Sequence, residues 1–187
     1  MALIEDKYKD LMGAVHHDDF DVFKTQLEHL HPKHCLYAKS LDNVVHIIAQ
    51  LGREPFLNAV IDKFKANELL ELLEIRNAED KVPLHEAAQF SHVNIVKILL
   101  EHGVAVDPIK RADWTPLMLA CTKVGESALD VIKVLVDKGA NLFLVNKVDN
   151  SYASLTMTLL KMFFLRMDGP HFTWPFAKVI PLLFSIF

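Results

Sequence analysis

Val82-Pro83-Leu84-His85-Glu86-Ala87-Ala88 returns 33 residues later in the chain as Thr115-Pro116-Leu117-Met118-Leu119-Ala120-Cys121. The two stretches carry the same Pro, Leu and Ala at the same three positions. A period of this length is typical of repeats that each contain a turn and two helices. Such a unit buries its apolar face only by stacking on its neighbours, so the sequence predicts an all-α solenoid.

The segments that follow these two stretches also repeat. Residues 95–103 (Ile-Val-Lys-Ile-Leu-Leu-Glu-His-Gly) correspond to residues 131–139 (Val-Ile-Lys-Val-Leu-Val-Asp-Lys-Gly). The offset is now 36, so the later unit has three extra residues, which we place in a loop at 123–127. Thr115 is expected to cap the first helix and Pro116 to begin it. Gly103 and Gly139 are expected to end the second helices in a left-handed conformation.

Weaker copies of the unit extend the pattern toward both ends of the chain. Aligning His46 with His85 reveals a degenerate unit, and two short amphipathic helices precede it. We therefore predict an N-terminal capping repeat at 1–36 and a degenerate repeat at 37–76. Two clear repeats follow at 77–109 and 110–145. Residues 146–187 are expected to be a degenerate repeat start and a divergent apolar tail.

Residues 83–88 and 110–122 resemble the ankyrin-repeat superfamily, whose units share this period and a Thr-Pro-Leu-His-x-Ala core. The resemblance implies an ankyrin-repeat solenoid that binds proteins through hairpin tips and the concave face of its first helices. Residues 110–122 also resemble one member of the superfamily. That narrower resemblance implies a role as co-regulator of an aminoacyl-tRNA synthetase, with the alanyl enzyme as partner. Val82 replaces the capping Thr and Met118 replaces the motif His.

Composition narrows the class of protein. The 187 residues are 51% hydrophobic and 24% charged, as in a folded chain with room for four to five repeats. A net charge of −4 argues against nucleic acid as a partner. Two cysteines indicate a reducing compartment, and the early charges are unlike a secretory signal. We expect the protein in the cytoplasm, the nucleus or both.

Motifs for catalysis are missing from the sequence. It contains no glycine-rich phosphate loop, nucleophile elbow or His-Glu-x-x-His, so we expect a non-enzymatic protein without a cofactor. His29, His31, His34 and Cys35 allow a metal-site hypothesis, but a polar loop is the interpretation we favour. Cys121 is expected to be buried, and the histidines at 46 and 85 to bond loop backbone.

The repeat pattern also assigns a candidate binding surface. Aromatic residues and Arg dominate binding hot spots, which favours Trp114 and Arg111. The alternative for Trp114 is that it covers the adjacent hairpin. The full predicted set lies on hairpin tips and on the exposed side of the first helices: Lys39, Asp42, Gln50, Glu79, Lys81, Gln89, Phe90, Lys110, Arg111, Trp114, Thr122 and Lys123.

Residues 151–187 differ from the rest of the chain. They contain six of the twelve Phe residues and four charged residues. A membrane span needs about 20 consecutive apolar residues, and charges and prolines interrupt both candidate stretches, so we expect no membrane span. Residues 157–164 are predicted to form a helix that covers the last repeat. Two alternatives stay open, a membrane-tethered protein and a truncated isoform with impaired function.

Overall fold

The computed structural model describes residues 2–29, 40–142 and 144 of the chain. The described helices, in chain order, are α1 (Ala2–His17), α2 (Phe20–Glu28), α3 (Val44–Leu51), α4 (Glu54–Lys63), α5 (Ala66–Leu73), α6 (Pro83–Gln89), α7 (Val93–Glu101), α8 (Pro116–Cys121) and α9 (Glu126–Asp137), with a 3₁₀ turn at Arg111–Asp113. The predicted tail at 151–187 lies outside the described residues. Lys39 and the cluster His31, His34 and Cys35 lie outside them too.

The helices form two layers. In the first layer α1, α3, α6 and α8 pack side by side, and in the second α2, α4, α7 and α9 do the same. One apolar core runs between the layers from Leu11 to Ala140, and α5 adds Leu69, Leu72 and Leu73 to it. Each unit thus buries its apolar face against the next, and the predicted all-α solenoid is confirmed.

The first helices α3, α6 and α8 start in three different ways. Thr115 caps α8 as predicted, because its hydroxyl accepts a hydrogen bond from the Met118 N–H at 3.3 Å. Asn43 caps α3 with its side-chain oxygen. Val82 has no oxygen to offer, so α6 has no side-chain cap, and the His85 ring instead accepts the N–H of Val82 itself at Nδ1, 3.2 Å away. His46 makes the same bond to the Asn43 N–H at 3.2 Å in the preceding repeat, where the side-chain cap is also present.

The second helices end as predicted but differ in length. Gly103 and Gly139 follow α7 and α9 with φ of +83° and +90°, the left-handed region that favours glycine. Our placement of the insertion in a loop was wrong in part. Glu126 and Ser127 lie in the first turn of α9, which has 12 residues against 9 in α7. The added turn is stabilised because Ala128 is buried against the core.

Across the described part of the chain, none of the helices combines the length and the apolar character that a membrane span requires.

Candidate interaction surface

Consecutive hairpins are joined by hydrogen bonds at the edge of the first layer. The Ala78 N–H donates to the Ser40 carbonyl at 2.7 Å, and the Arg111 N–H donates to the Glu79 carbonyl at 3.4 Å. The Asn77 amide adds a side-chain bond of 2.7 Å to Asp42 Oδ1. These bonds hold the loops before α3, α6 and α8 in one row, so side chains from three repeats face a common surface.

Two buried histidines connect α3 and α6 to this row of loops through hydrogen bonds. His46 Nε2 lies 3.0 Å from the carbonyl oxygen of Lys81, and His85 Nε2 lies 3.2 Å from that of Trp114. The expectation that both histidines bond loop backbone is confirmed. Burial lowers the pKa of His85 to about 4 and also lowers the pKa of His46, so both rings are neutral at pH 7.

A cleft of about 400 Å³ opens between α3, α6 and the hairpin that joins their units. Its lining consists of polar and charged side chains with one exposed aromatic ring at the side. The lining residues are Ser40, Asp42, His46, Gln50, Asn77, Ala78, Glu79, Lys81, Glu86, Gln89 and Phe90. Six of the twelve predicted surface residues are therefore brought together in one place.

The centre of the cleft is an ion-pair triad. Lys81 Nζ lies 3.1 Å from Glu79 Oε2 and 3.1 Å from Glu86 Oε1. The side chains of Lys81 and Glu86 are 11% and 9% exposed, whereas that of Glu79 is 62% exposed. Burial raises the pKa of Glu86, although the charge of Lys81 opposes this. Burial lowers the pKa of Lys81, but the negative charges and hydrogen bonds of Glu86 and Glu79 have the larger combined effect, so the pKa of Lys81 is raised above its usual value. The ammonium is therefore fixed as a cation at pH 7.

Two further side chains complete the cleft. Gln89 lies at the end of α6, and its Oε1 atom is buried without a hydrogen-bond partner among the described residues. A buried acceptor without a donor is costly, and such groups are rare in folded proteins. Phe90 follows directly and is 42% exposed, a large fraction for an aromatic ring. The cleft therefore has an exposed apolar ring at its side and, in its wall, a buried amide oxygen without a donor among the described residues.

The hairpin of the last clear repeat forms a second group of predicted residues. Lys110 and Trp114 pair across the hairpin, with the Lys110 N–H donating to the Trp114 carbonyl at 3.0 Å. The Lys110 ammonium lies 6.0 Å from the centre of the indole ring. Arg111 Nε is 3.5 Å from Asp80 Oδ2 on the preceding hairpin. The Trp114 ring thus lies near Lys110 of its own hairpin, and its role, in binding or in covering the adjacent hairpin, stays a prediction.

The remaining predicted residues fall at the end of α8. Thr122 and Lys123 are exposed, and the Thr122 hydroxyl donates to the Leu119 carbonyl at 2.7 Å. They occupy the positions that Gln89 and Phe90 hold one repeat earlier. In the described residues, no group of three His, Cys, Asp or Glu side chains is placed to hold a metal ion. Cys121 is buried, as expected for a small apolar side chain.

Glu86 is the residue of the cleft that the sequence interpretation missed. Its equivalents in the neighbouring repeats are Ile47 and Leu119, which are both apolar. A carboxylate in a position that its neighbours fill with apolar side chains requires a buried partner. Lys81, in the hairpin before the same helix, is that partner. The difference between Glu86 and its apolar equivalents is the feature of the sequence that could have predicted this buried ion pair.

Comparison with protein-family models agrees with this geometry. A model of ankyrin repeats in three copies matches residues 46–146. The match spans more than half of the 187 residues and includes the residues of the cleft except Ser40, Asp42 and the loop around them, which precede it. The chain belongs to the ankyrin-repeat family, whose members are generally protein–protein interaction modules.

Proposed function

We propose that this ankyrin-repeat protein is a non-enzymatic adaptor that binds a partner protein across the cleft and the neighbouring hairpin at residues 110–114. The observation that carries the proposal is the cleft of about 400 Å³ on the first-helix layer, lined by side chains from two repeats. A protein-binding site needs a rigid frame, which the bonded hairpins and buried histidines supply. A stable interface buries roughly 800 Å² on each partner, an area that three stacked units can provide.

The finer proposal concerns the partner and the compartment. Residues 110–122 are similar to ankyrin repeat domain-containing protein 16, and on that ground we propose alanyl-tRNA synthetase as the first partner to test. A role as co-regulator of this synthetase fits a protein of the cytoplasm or nucleus. The low cysteine content and the net charge of −4 support this compartment and a protein partner.

The test uses purified full-length chain and alanyl-tRNA synthetase in biolayer interferometry. Phe90→Ala alters the cleft, and the double change of Trp114→Ala with Arg111→Ala alters the hairpin. Val22→Ala is the matched control, because Val22 is as exposed as Phe90 but lies on α2 in the second layer. We expect at least one of the two surface changes to weaken binding by about 2 kcal/mol, the size of a hot spot.

A second arm covers the case in which the synthetase is the wrong partner. Crosslinking and mass spectrometry with the wild-type chain identify bound proteins, and the same variants are then compared. Binding that survives all of the surface changes while the melting temperature falls would place the recognition surface elsewhere. An equal loss of binding with the control Val22→Ala would also place the recognition surface elsewhere.

A further inference from the structure

The proposed function leaves open what part of a partner the cleft recognises. Resting on that function, we propose that the cleft binds an arginine side chain from an extended segment of the partner protein. Three features of the described residues carry this inference: the balance of charge in the lining, the unused acceptor of Gln89 and the exposed ring of Phe90.

The charge of the lining favours a cation. Asp42, Glu79 and Glu86 contribute three carboxylates, and Lys81 is the single ammonium among the lining residues. His46 adds no charge at pH 7 because burial lowers its pKa. Lys110 is the next cation along the row, and its ammonium lies over the Trp114 ring on the neighbouring hairpin. The lining residues have a formal excess of two negative charges, and Lys110, whose charge acts on Glu79 and Glu86, reduces it to one, which still attracts a positively charged group and repels an anion.

The triad uses only part of this negative charge. Lys81 contacts one oxygen of each glutamate, Oε2 of Glu79 and Oε1 of Glu86. Asp42 accepts from the Asn77 amide at Oδ1 and forms no ion pair with Lys81. Glu79 is mostly exposed, so its carboxylate is accessible from the mouth of the cleft. A second cation at the mouth thus meets carboxylates that the first has not neutralised.

Gln89 and Phe90 favour arginine over lysine as that cation. A guanidinium carries five N–H donors in a planar fork and stacks on aromatic rings, whereas an ammonium is a compact and strongly hydrated charge. The Oε1 atom of Gln89 is buried and lacks a donor among the described residues, and the proposal requires the amide to rotate so that this atom accepts from the guanidinium. Phe90 offers its ring at the side of the same cleft. The cleft, with a volume of about 400 Å³, accommodates one long side chain together with part of the neighbouring backbone.

The experiment is a selection followed by a measurement on the full-length chain. A phage library of random dodecapeptides is selected on the immobilised protein at low ionic strength. The expected result is enrichment of arginine at one aligned position. A fluorescent peptide of the enriched sequence is then measured by anisotropy beside a copy with that arginine replaced by citrulline, its neutral near-isostere. We expect citrulline to weaken binding tenfold or more, since hydrogen bonds to a charged group are being lost.

Variants locate the peptide on the protein. Glu79→Gln with Asp42→Asn keeps the shape of both side chains and removes two charges, and we expect binding to weaken about tenfold. Both residues are at least partly exposed, so the fold should be retained. Glu101→Gln at the end of α7 removes an exposed charge outside the cleft and should leave binding unchanged.

The outcomes separate this inference from the proposed function. Peptides that lose affinity with Phe90→Ala but show no preference for arginine would overturn the inference and leave the binding surface in place. Equal enrichment of lysine, or equal binding of the citrulline peptide, would also overturn it. Peptides insensitive to every change in the cleft and in the hairpin at 110–114 would contradict both proposals.

Discussion

Replacing His85 by Met should remove a large part of the dependence of stability on pH. His85 is fully buried, and its folded pKa is about 4 against 6.5 for a free histidine. Between these values the unfolded chain binds a proton that the folded chain excludes, so stability is complete above pH 6.5 and falls as the pH decreases toward 4. A difference of this size corresponds to about 3 kcal/mol in the free energy of unfolding.

The same substitution also costs stability at neutral pH. Met already stands at the equivalent position 118, so the side chain fits a slot of this kind. It cannot accept the Val82 N–H or donate to the Trp114 carbonyl, and losing these two buried hydrogen bonds should cost roughly 2 kcal/mol. The wild type loses a similar amount on acidification. The gap between the two proteins should therefore be about 2 kcal/mol at pH 7 and close to zero at pH 4.5.

Urea unfolding followed by circular dichroism at pH 7.0, 6.0, 5.0 and 4.5 measures this gap. His16→Gln is the control for the loss of a histidine outside the core, because His16 is exposed on α1. Burial also lowers the pKa of His46, but this histidine is present in all three proteins and cancels in the comparison. A gap that stays constant from pH 7.0 to 4.5 would refute the assignment of a neutral, buried His85.

Three further changes test the packing and the caps. Leu84→Ala or Leu117→Ala, each 1% exposed in the wild type, should lower the free energy of unfolding by about 2–5 kcal/mol; losses below about 1 kcal/mol for both would contradict the proposed stacking. Gly52→Ala should cost about 1–3 kcal/mol, because φ is +69° and the new Cβ meets the ring of His92; an unchanged urea midpoint would show that this loop relaxes freely. Val82→Thr should add about 1 kcal/mol through a new side-chain cap, measured by thermal melting, and a lower melting temperature would mean that the hydroxyl finds no partner.

The repeat period predicted the backbone of the solenoid well, for a clear physical reason. Stacked units must place the same small set of residues at each helix start and each helix end, so Thr115, Gly103 and Gly139 could be assigned from sequence alone. The left-handed residues before the first helices could not be assigned this way. Leu41 and Asp80 have φ of +56° and +59° although neither is a glycine. At Asp80 the conformation accompanies bonds within the loop, from its N–H to the Asn77 carbonyl and from Arg76 to its own carbonyl, which the repeat period does not predict.

The cleft was only partly predictable, because its polar lining depends on which repeats carry polar side chains at equivalent positions. The hairpin positions at the edge of the stack were predictable, and they include Asp42 and Lys81. Whether the charge of Lys81 is neutralised depends on its contact with Glu86 in α6, the helix that follows its hairpin. The repeat period does not predict such a contact, since the residues equivalent to Glu86 in both neighbouring repeats are apolar.

The two departures from the repeat pattern, Val82 and Met118, remove different hydrogen bonds at the helix starts. Val82 lacks a capping oxygen, and in that unit His85 is present and accepts the Val82 N–H. Met118 lacks the ring, and in that unit the Thr115 hydroxyl caps the helix. The two bonds are not equivalent, since Thr115 accepts from the third residue of α8 whereas His85 accepts from the residue before α6, so α6 begins without a side-chain cap. The unit that depends on histidine alone is also the unit that forms one wall of the cleft, which ties the stability of the proposed binding surface to the neutral form of a single buried ring.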